Sequence, residues 1–108
     1  MKAPAAIWRV PMTESDLSRA VLDMARLFKW LPYHSWTSIH SAAGFPDWVF
    51  VRPPRVLFVE LKSEVGKLTP AQANWIAALR DCPVEVAVIR PSDCRDPIEM
   101  SVLGRLLR

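Results

Sequence analysis

Residues 47–62 read DWVFVRPPRVLFVELK and decide the fold that we predict for this chain. Two runs rich in aliphatic and aromatic residues, 47–51 and 56–62, flank the turn sequence RPPR at 52–55. Because neither proline can donate a ladder hydrogen bond, the prolines belong in a turn, and the two runs form a β-hairpin. The second run is apolar on both of its faces, as is typical of a central strand.

The predicted register of this hairpin brings charged side chains together. A symmetric turn centred on the two prolines places Asp47 directly opposite Glu60. Opposed side chains lie on one face of a sheet, with Cβ atoms about 4.5–5.5 Å apart. Alternate residues of a strand share a face, so Lys62 points to the same side as Glu60. The sequence therefore predicts two carboxylates and one ammonium group within a few ångströms of one another.

Such a carboxylate pair predicts a divalent cation, because facing acids repel each other unless a cation or a proton lies between them. Mg²⁺ or Mn²⁺ accepts one or two protein carboxylates and completes its shell with water and phosphate oxygens. The Leu61 carbonyl, between Glu60 and Lys62, is a further candidate ligand. The cation acidifies water, and Lys62 can hold that water or stabilise charge on a scissile phosphate. The plain alternative is a turn residue at Asp47 and an exposed Glu60–Lys62 pair.

Capping signals and hydrophobic periodicity predict the elements around the hairpin. Thr13 begins a helix that ends near residues 29–31, and a strand over residues 33–40 follows it. Thr69-Pro70-Ala71-Gln72 begins a second helix that runs to about residue 81. Residues 84–89 form a fourth strand. A last helix starts at residues 96–99, with an apolar stripe made of Ile98, Val102 and Leu106.

Length and composition limit the possible classes of protein. The chain has 108 residues, which suits one domain, and we expect an N-terminal arm at residues 1–12 and the domain at residues 13–108. With 51% hydrophobic and 23% charged residues, the chain is not a disordered one. No apolar run is long enough for a membrane span. Two cysteines without CxxC spacing argue against a disulfide scaffold and fit a reducing compartment.

Three ordered motifs resemble those of a known superfamily. Gly44-Phe45-Pro46-Asp47, Glu60-Leu61-Lys62 and the run at 66–72, GKLTPAQ, are similar to those of the PD-(D/E)XK nucleases, above all the virus-type replication-repair nuclease (VRR-NUC) domain. The similarity covers residues 14–90. It implies a restriction-endonuclease-like α/β fold, in which a mixed four-stranded sheet is flanked by helices in the order α-β-β-β-α-β-α. One departure is Asp81-Cys82-Pro83, where the family usually has a glycine turn.

The resemblance also implies roles for individual residues. Asp47 and Glu60 would be the metal-binding carboxylates, and Lys62 would be the catalytic lysine. Gln72 matches a glutamine that supports the site or contacts substrate, although a capping box explains it equally well. Glu14 matches an acidic residue that approaches the metal site, although the helix dipole also favours an acid in a first turn.

Nucleic-acid binding requires cations along the phosphate path. We expect Lys67, Arg52 and Arg55 to contact DNA from the hairpin and the loop after it, and the net charge of +3 permits such a partner. Further basic residues lie on the polar side of the first helix, namely Arg19, Arg26 and Lys29. Five tryptophans exceed what one small core needs, so we expect some at a subunit interface or stacked on unpaired bases. His34 and His40 have no partner at ligand spacing.

These observations lead to three hypotheses about function. The first is an Mg²⁺- or Mn²⁺-dependent, structure-selective DNA endonuclease that, by the family resemblance, acts as a homodimer on branched or Holliday-junction DNA. The second is a non-catalytic DNA-binding or interaction module that retains the nuclease fold. The third is a small metabolic enzyme, which would need a closed pocket that this chain has little material to build. We expect a role in DNA repair in the cytoplasm of a bacterial or phage-infected cell, without a membrane partner.

Overall fold

The computed structural model of the protein describes residues 12–36 and 42–108. Three helices flank one sheet, and the elements in chain order are α1 (Glu14–Leu27), β1 (Leu31–His34), β2 (Trp48–Arg52), β3 (Arg55–Leu61), α2 (Pro70–Arg80), β4 (Glu85–Ile89) and α3 (Val102–Leu107). The order α-β-β-β-α-β-α confirms the predicted α/β class with a mixed four-stranded sheet. Residues 1–11 of the predicted arm lie outside the described residues, so the arm stays a prediction.

The sheet has the order β1-β2-β3-β4, and its pairing is mixed. Strands β1, β2 and β3 pair in an antiparallel manner, whereas β4 runs parallel to β3. In the hairpin, Arg52 pairs with Arg55 and Trp48 pairs with Val59, which is the register that a symmetric two-proline turn predicts. Strand β3 lies between β2 and β4, so its predicted central position is confirmed.

The two faces of the sheet have different partners. One face packs against α1 and α3 and forms the main core, whose members on β2 and β3 are Trp48, Phe50, Leu57, Val59 and Leu61. The other face carries α2, and Phe45 bridges the two by contacting Phe58 of the sheet and Trp75 of the helix. Glu60 alternates with the core residues of β3 and therefore belongs to this second face.

Both predicted N-caps, Thr13 and Thr69, are present and each forms a capping box, and the first strand is shorter than predicted. The Thr13 hydroxyl accepts a hydrogen bond from the Asp16 amide, and the Asp16 carboxylate accepts one from the Thr13 amide. Strand β1 begins at Leu31, two residues earlier than predicted, and ends at His34. It includes Pro32, which an edge strand tolerates because an edge strand has no second neighbour that needs the missing amide. Residues 37–40 of the predicted strand lie outside the described residues.

The predicted last helix is wrong in its start and in its apolar stripe. Two 3₁₀ helices, Pro91–Cys94 and Ile98–Met100, precede α3. The Ser101 hydroxyl accepts a hydrogen bond from the Gly104 amide, and this cap starts a new helix with a new phase. The core residues of α3 are consequently Leu103 and Leu107. Val102 of the predicted stripe is exposed, while Ile98 is buried and Leu106 packs partly against the core.

None of the helices in the described parts of the chain is both long enough and apolar enough to span a bilayer.

Candidate functional site

The two predicted carboxylates converge where β2 begins and β3 ends. Asp47 immediately precedes β2, and continuing the observed register by one pair places it opposite Glu60. The Asp47 Oδ2 atom accepts a hydrogen bond of 2.7 Å from the Leu61 backbone amide, which fixes the carboxylate against β3. Lys62 follows directly, and its backbone amide donates to the Ile89 carbonyl of β4 at 3.0 Å. The hairpin and the parallel neighbour thus hold all three residues in place.

Glu60 is buried, with only 2% of its surface exposed, and its carboxylate is incompletely satisfied. Its Oε2 atom accepts a hydrogen bond of 3.2 Å from the Gln72 Nε2 atom. Its Oε1 atom is buried without a hydrogen-bond donor in the described part of the chain. Asp47 lies within hydrogen-bonding reach, but a carboxylate donates only when protonated. Leaving a buried acceptor unpaired costs about 1–3 kcal/mol, and more when it is charged.

Burial and neighbouring acids act together on the ionisation of Glu60. Desolvation is the largest cause, followed by the charge and the hydrogen bond of Asp47, and these raise the pKa of Glu60 to about 8. The Glu14 carboxylate acts in the same direction, while the Lys62 ammonium lowers the pKa. A group so strongly biased towards its neutral form is typical of a site that binds a proton or a cation.

Gln72 makes hydrogen bonds both within the helix cap and to Glu60. Its Oε1 atom accepts a hydrogen bond of 2.9 Å from the Thr69 amide, and the Thr69 hydroxyl accepts one from the Gln72 amide, which completes the capping box of α2. Its Nε2 atom donates to Glu60 at the same time. The helix cap therefore orients the amide that holds the buried carboxylate.

The loop before Asp47 is closely packed on the first turn of α2. Gly44 has a φ of +86°, and a Cβ atom there would lie 2.4 Å from the Ala71 carbonyl carbon. The Trp75 indole donates to the Ala43 carbonyl at 3.1 Å. On the other side, the Ser35 hydroxyl donates to the Pro46 carbonyl at 2.8 Å. The Gly-Phe-Pro-Asp motif thus has a physical basis, because a side chain at Gly44 would push the helix away from the site.

Arg90 holds the loop that follows β3, and the sequence analysis missed it. Its guanidinium donates to the Ser63 and Gly66 carbonyls at 2.6 Å each. The Glu64 carboxylate accepts a hydrogen bond from the Ser92 amide, which ties the same loop to the chain after β4. Arg90 could have been identified from the parallel pairing of β3 with β4, because this pairing puts the residue after Ile89 beside the residues after Leu61. Arg90 therefore restrains the segment that carries Lys62.

A cavity of about 440 Å³ opens beside the carboxylates. Asp47, Glu60, Lys62 and Gln72 line it, together with Glu14 from the first turn of α1. The structure thus brings together all five residues for which a catalytic role was predicted. Leu61 also borders this cavity. Ser63, Gly66 and Pro91 complete much of the wall.

The donor set fits a divalent cation of the magnesium type. Such an ion would neutralise the negative charge of the Glu60 and Asp47 carboxylates, and it would bind the Glu60 Oε1 atom, which has no donor among the described residues. Within residues 12–36 and 42–108, no group of three or more His, Cys, Asp or Glu side chains is arranged to hold a metal. Glu14 therefore does not complete a three-acid cluster. Two carboxylates, with backbone, water and substrate oxygens for the other positions, are the usual ligands of Mg²⁺ in phosphate chemistry.

Arg52 and Arg55 lie at the turn of the hairpin, away from the carboxylates. Arg52 is five residues from Asp47, which is about 16 Å along a strand. Arg52 donates to the Phe28 and Leu107 carbonyls. Arg55 forms an ion pair of 2.6 Å with Glu85 and donates to carbonyls of the C-terminal helix, Leu106 and Arg108. Their contact with DNA stays a prediction, and these donors are engaged within the fold.

The remaining predicted residues occupy varied positions. Lys67 is exposed in the loop between β3 and α2. Trp30 and Trp48 are buried, whereas Trp36 has 77% of its surface exposed. His34 lies between the rings of Trp36 and Trp48, with both centroids at 4.5 Å, so it is an aromatic packing residue. Trp8 and His40 fall outside the described residues.

Comparisons with known proteins agree with this architecture. The VRR-NUC domain model matches residues 7–93 of the chain. A solved structure described as a VRR_NUC domain protein superposes with a TM-score of 0.62 over 90% of this chain and 87% of its own, at 20% sequence identity. That likeness shows a shared fold. No curated protein matches the chain.

The matched region contains the whole sheet, α1, α2 and every residue of the carboxylate cavity. It therefore includes the Gly-Phe-Pro-Asp loop, the Glu-Leu-Lys strand and the capping glutamine, whose geometry is described above. A domain of this kind is a nuclease-type domain of the PD-(D/E)XK superfamily, and such domains act on DNA. The chain belongs to the VRR-NUC domain family.

Proposed function

We propose that this protein is a divalent-metal-dependent DNA endonuclease that hydrolyses phosphodiesters in branched or Holliday-junction DNA. The observation that carries the proposal is the buried Glu60 carboxylate, which faces Asp47 and has one oxygen without a hydrogen-bond donor among the described residues. A fold without a ligand at this place would gain nothing from two opposed acids. Lys62 at the same cavity supplies the positive charge that phosphate chemistry requires.

Asp47 and Glu60 would hold Mg²⁺ or Mn²⁺, with the Leu61 carbonyl as a further candidate ligand. When bound, the cation would polarise the scissile phosphate and acidify water. The chain's own residues do the positioning. The Leu61 amide fixes the Asp47 carboxylate, and the Gln72 amide fixes the Glu60 carboxylate.

Lys62 stabilises negative charge that develops on the scissile phosphate. Its backbone is fixed by the bond to β4, and the Arg90 contacts restrain the loop immediately after it. A preorganised ammonium of this kind does not have to reorient during the reaction, and such groups are worth several kcal/mol in other enzymes. Glu14, which lines the same cavity, adds negative charge and favours cation binding. Lys67, in the loop between β3 and α2, is proposed to contact the DNA backbone.

We further propose that the protein acts as a homodimer, because a two-fold pair supplies two sites for the two strands of a junction. Sedimentation velocity of the free protein and of its complex with a four-way junction tests this assembly. A single peak at twice the chain mass for the free protein, and one at that mass plus the mass of the junction for the complex, supports the dimer. A monomer in both samples contradicts it.

The activity is tested by incubation with paired duplex, flap and four-way DNA in Mg²⁺, Mn²⁺ or EDTA. We expect products from the branched substrates in metal and none in EDTA. Asp47→Asn and Lys62→Ala should each abolish cleavage while the thermal melt stays cooperative. Arg105→Ala is the matched control for a lost positive charge, since Arg105 lies exposed on α3. Tight binding to junctions without products under any condition would favour the non-catalytic module instead.

A further inference from the structure

A second cavity of about 570 Å³ adjoins the carboxylate cavity and has no role in the mechanism above. The two cavities share Glu14, Asp47 and Leu61 as walls, so a ligand that enters one end reaches the reactive phosphate position at the other. The second cavity runs along the exposed side of α1 and ends at the residues that follow β1. We call it the α1 groove.

The two arginines of the α1 groove have no hydrogen-bond or ion-pair partner among the residues that the structure describes. Arg19 and Arg26 both line it and are exposed. Neither side chain makes a hydrogen bond or an ion pair with the described residues 12–36 and 42–108, in contrast to Arg52, Arg55 and Arg90. They are seven residues apart on α1, which is two helical turns and about 10 Å along one side of the helix. This arrangement leaves two guanidinium groups available to successive phosphates.

Trp36 forms the aromatic end of the same groove. Its side chain is 77% exposed, which is unusual for so large an apolar group in a small domain. The ring is nevertheless positioned, because it packs edge-to-face on His34, which packs on the buried Trp48. The Trp48 indole in turn donates to the Ser18 hydroxyl of α1 at 3.0 Å. An exposed ring supported in this way is a stacking platform for a flat ligand.

The exposed Trp36 ring and the two exposed arginines together indicate one class of ligand. An exposed aromatic ring beside free arginines is how proteins bind single-stranded nucleic acid, since the ring stacks on a base and the arginines contact phosphates. A base inside a duplex is already stacked on both faces and is not available to Trp36. From Glu14 to Arg26 the groove is about 18 Å long, which corresponds to about five stacked nucleotides.

We propose that the α1 groove binds an unpaired DNA strand and leads it to the carboxylate site, with Trp36 stacked on a base and Arg19 and Arg26 on phosphates. This inference rests on the proposed function, because it takes the cleaved substrate to be DNA. The expected substrate is then a branched DNA with a single-stranded arm that starts at the carboxylate site. Asp23 lies between the two arginines in the groove, and its negative charge would repel the DNA phosphates.

Binding of the full chain is measured in EDTA by fluorescence anisotropy, so the test does not depend on cleavage. The two ligands are a duplex with a single-stranded flap and a fully paired duplex of the same length. We expect Trp36→Ala to weaken flap binding about 10-fold and to change duplex binding by less than about twofold. Trp36→Phe retains a stacking ring and should restore most of the affinity. Tyr33→Ala is the matched control, because Tyr33 is 65% exposed and does not line the groove.

Charge variants test the phosphate contacts in the same assay. Arg19→Gln and Arg26→Gln should each lower the slope of log affinity against log salt by about 0.7 for the flap ligand. Arg105→Gln removes the same charge elsewhere and should leave the slope unchanged. Asp23→Asn should strengthen flap binding, because it removes a negative charge from the phosphate path.

The inference is overturned if Trp36→Ala weakens both ligands equally, weakens neither, or behaves like Tyr33→Ala. It is also overturned if Trp36→Phe is as weak as Trp36→Ala. A base analogue fluorophore, 2-aminopurine, in the flap adds a direct readout, since stacking on Trp36 quenches it and Trp36→Ala should abolish the quenching. If the proposed nuclease activity is absent, these binding differences still support the groove. If cleavage occurs but these differences are absent, the groove assignment alone fails.

Discussion

Replacement of Glu60 by Gln isolates the electrostatic cost of the carboxylate pair. Gln has nearly the shape of Glu, so the buried position stays filled and the bond from Gln72 is retained. In the metal-free protein, burial and the Asp47 charge raise the pKa of Glu60 from 4.5 to about 8. The folded chain therefore keeps a proton that the unfolded chain has already released, and the free energy of unfolding falls as the pH rises from about 4.5 to about 8.

The size of this effect follows from the pKa difference. One pKa unit corresponds to about 1.4 kcal/mol. Between pH 4.5, the pKa of Glu60 in the unfolded chain, and pH 7, the ionisation of Glu60 lowers the free energy of unfolding of the wild-type protein by about 3 kcal/mol. In a domain of this size, 3 kcal/mol is a melting-temperature difference of roughly 10–20 °C. The E60Q variant has no ionisable group at this position and does not undergo this loss.

The assay is thermal unfolding in EDTA at pH 5 and at pH 7.5. We expect E60Q to melt above the wild type at pH 7.5, with a much smaller difference at pH 5. Glu99→Gln is the control, since Glu99 is exposed on the second 3₁₀ helix and should leave the pH dependence of the wild type unchanged. Addition of Mg²⁺ should then raise the wild-type melting temperature, because a ligand that binds only the folded state stabilises it, and should raise that of E60Q by less at the same Mg²⁺ concentration. An E60Q protein that is less stable than the wild type at pH 7.5, with parallel pH curves, would refute the repulsion argument.

Three further substitutions test how the fold positions the site. Gly44→Ala should cost about 2 kcal/mol or more in a denaturant melt and slow cleavage, because its Cβ atom would overlap Ala71 at a positive φ; a melt like that of the wild type would contradict the close packing. Arg55→Gln should lower stability by about 1–2 kcal/mol through the lost pair with Glu85 and the lost hydrogen bonds to Leu106 and Arg108, with little change in DNA affinity; a reversed pattern would assign Arg55 to DNA binding instead. Arg90→Ala should increase hydrogen exchange of residues 63–66 by about 10-fold or more and slow cleavage, and unchanged exchange would show that the loop does not need this contact.

The central hairpin was predictable because its determinants are local. Two prolines in the turn fix the register, and the register alone places Asp47 opposite Glu60. The caps at Thr13 and Thr69 were predictable for the same reason, since each depends on residues three positions apart. Patterns within one short segment carry enough information for such features.

Features that depend on distant segments were not predictable from the pattern. The Arg90 contacts join the ends of β3 and β4, which are more than twenty residues apart in the chain. The same holds for Arg55, whose partners come from β4 and α3, so its ion pair with Glu85 could not be read from its position beside the turn. At the C-terminus, the Ser101 cap resets the helical phase and shifts the core contacts to Leu103 and Leu107.

The cation site between Asp47 and Glu60 is tested by Mn²⁺ binding, measured by electron paramagnetic resonance, to the wild-type chain and to the Asp47→Asn and Glu60→Gln variants. We expect the wild type to bind Mn²⁺ and each variant to bind it at least tenfold more weakly, because each loses one of two carboxylate ligands; a factor of ten corresponds to about 1.4 kcal/mol. The Glu99→Gln control should bind as the wild type does. Equal binding by all four proteins would contradict a cation site between Asp47 and Glu60.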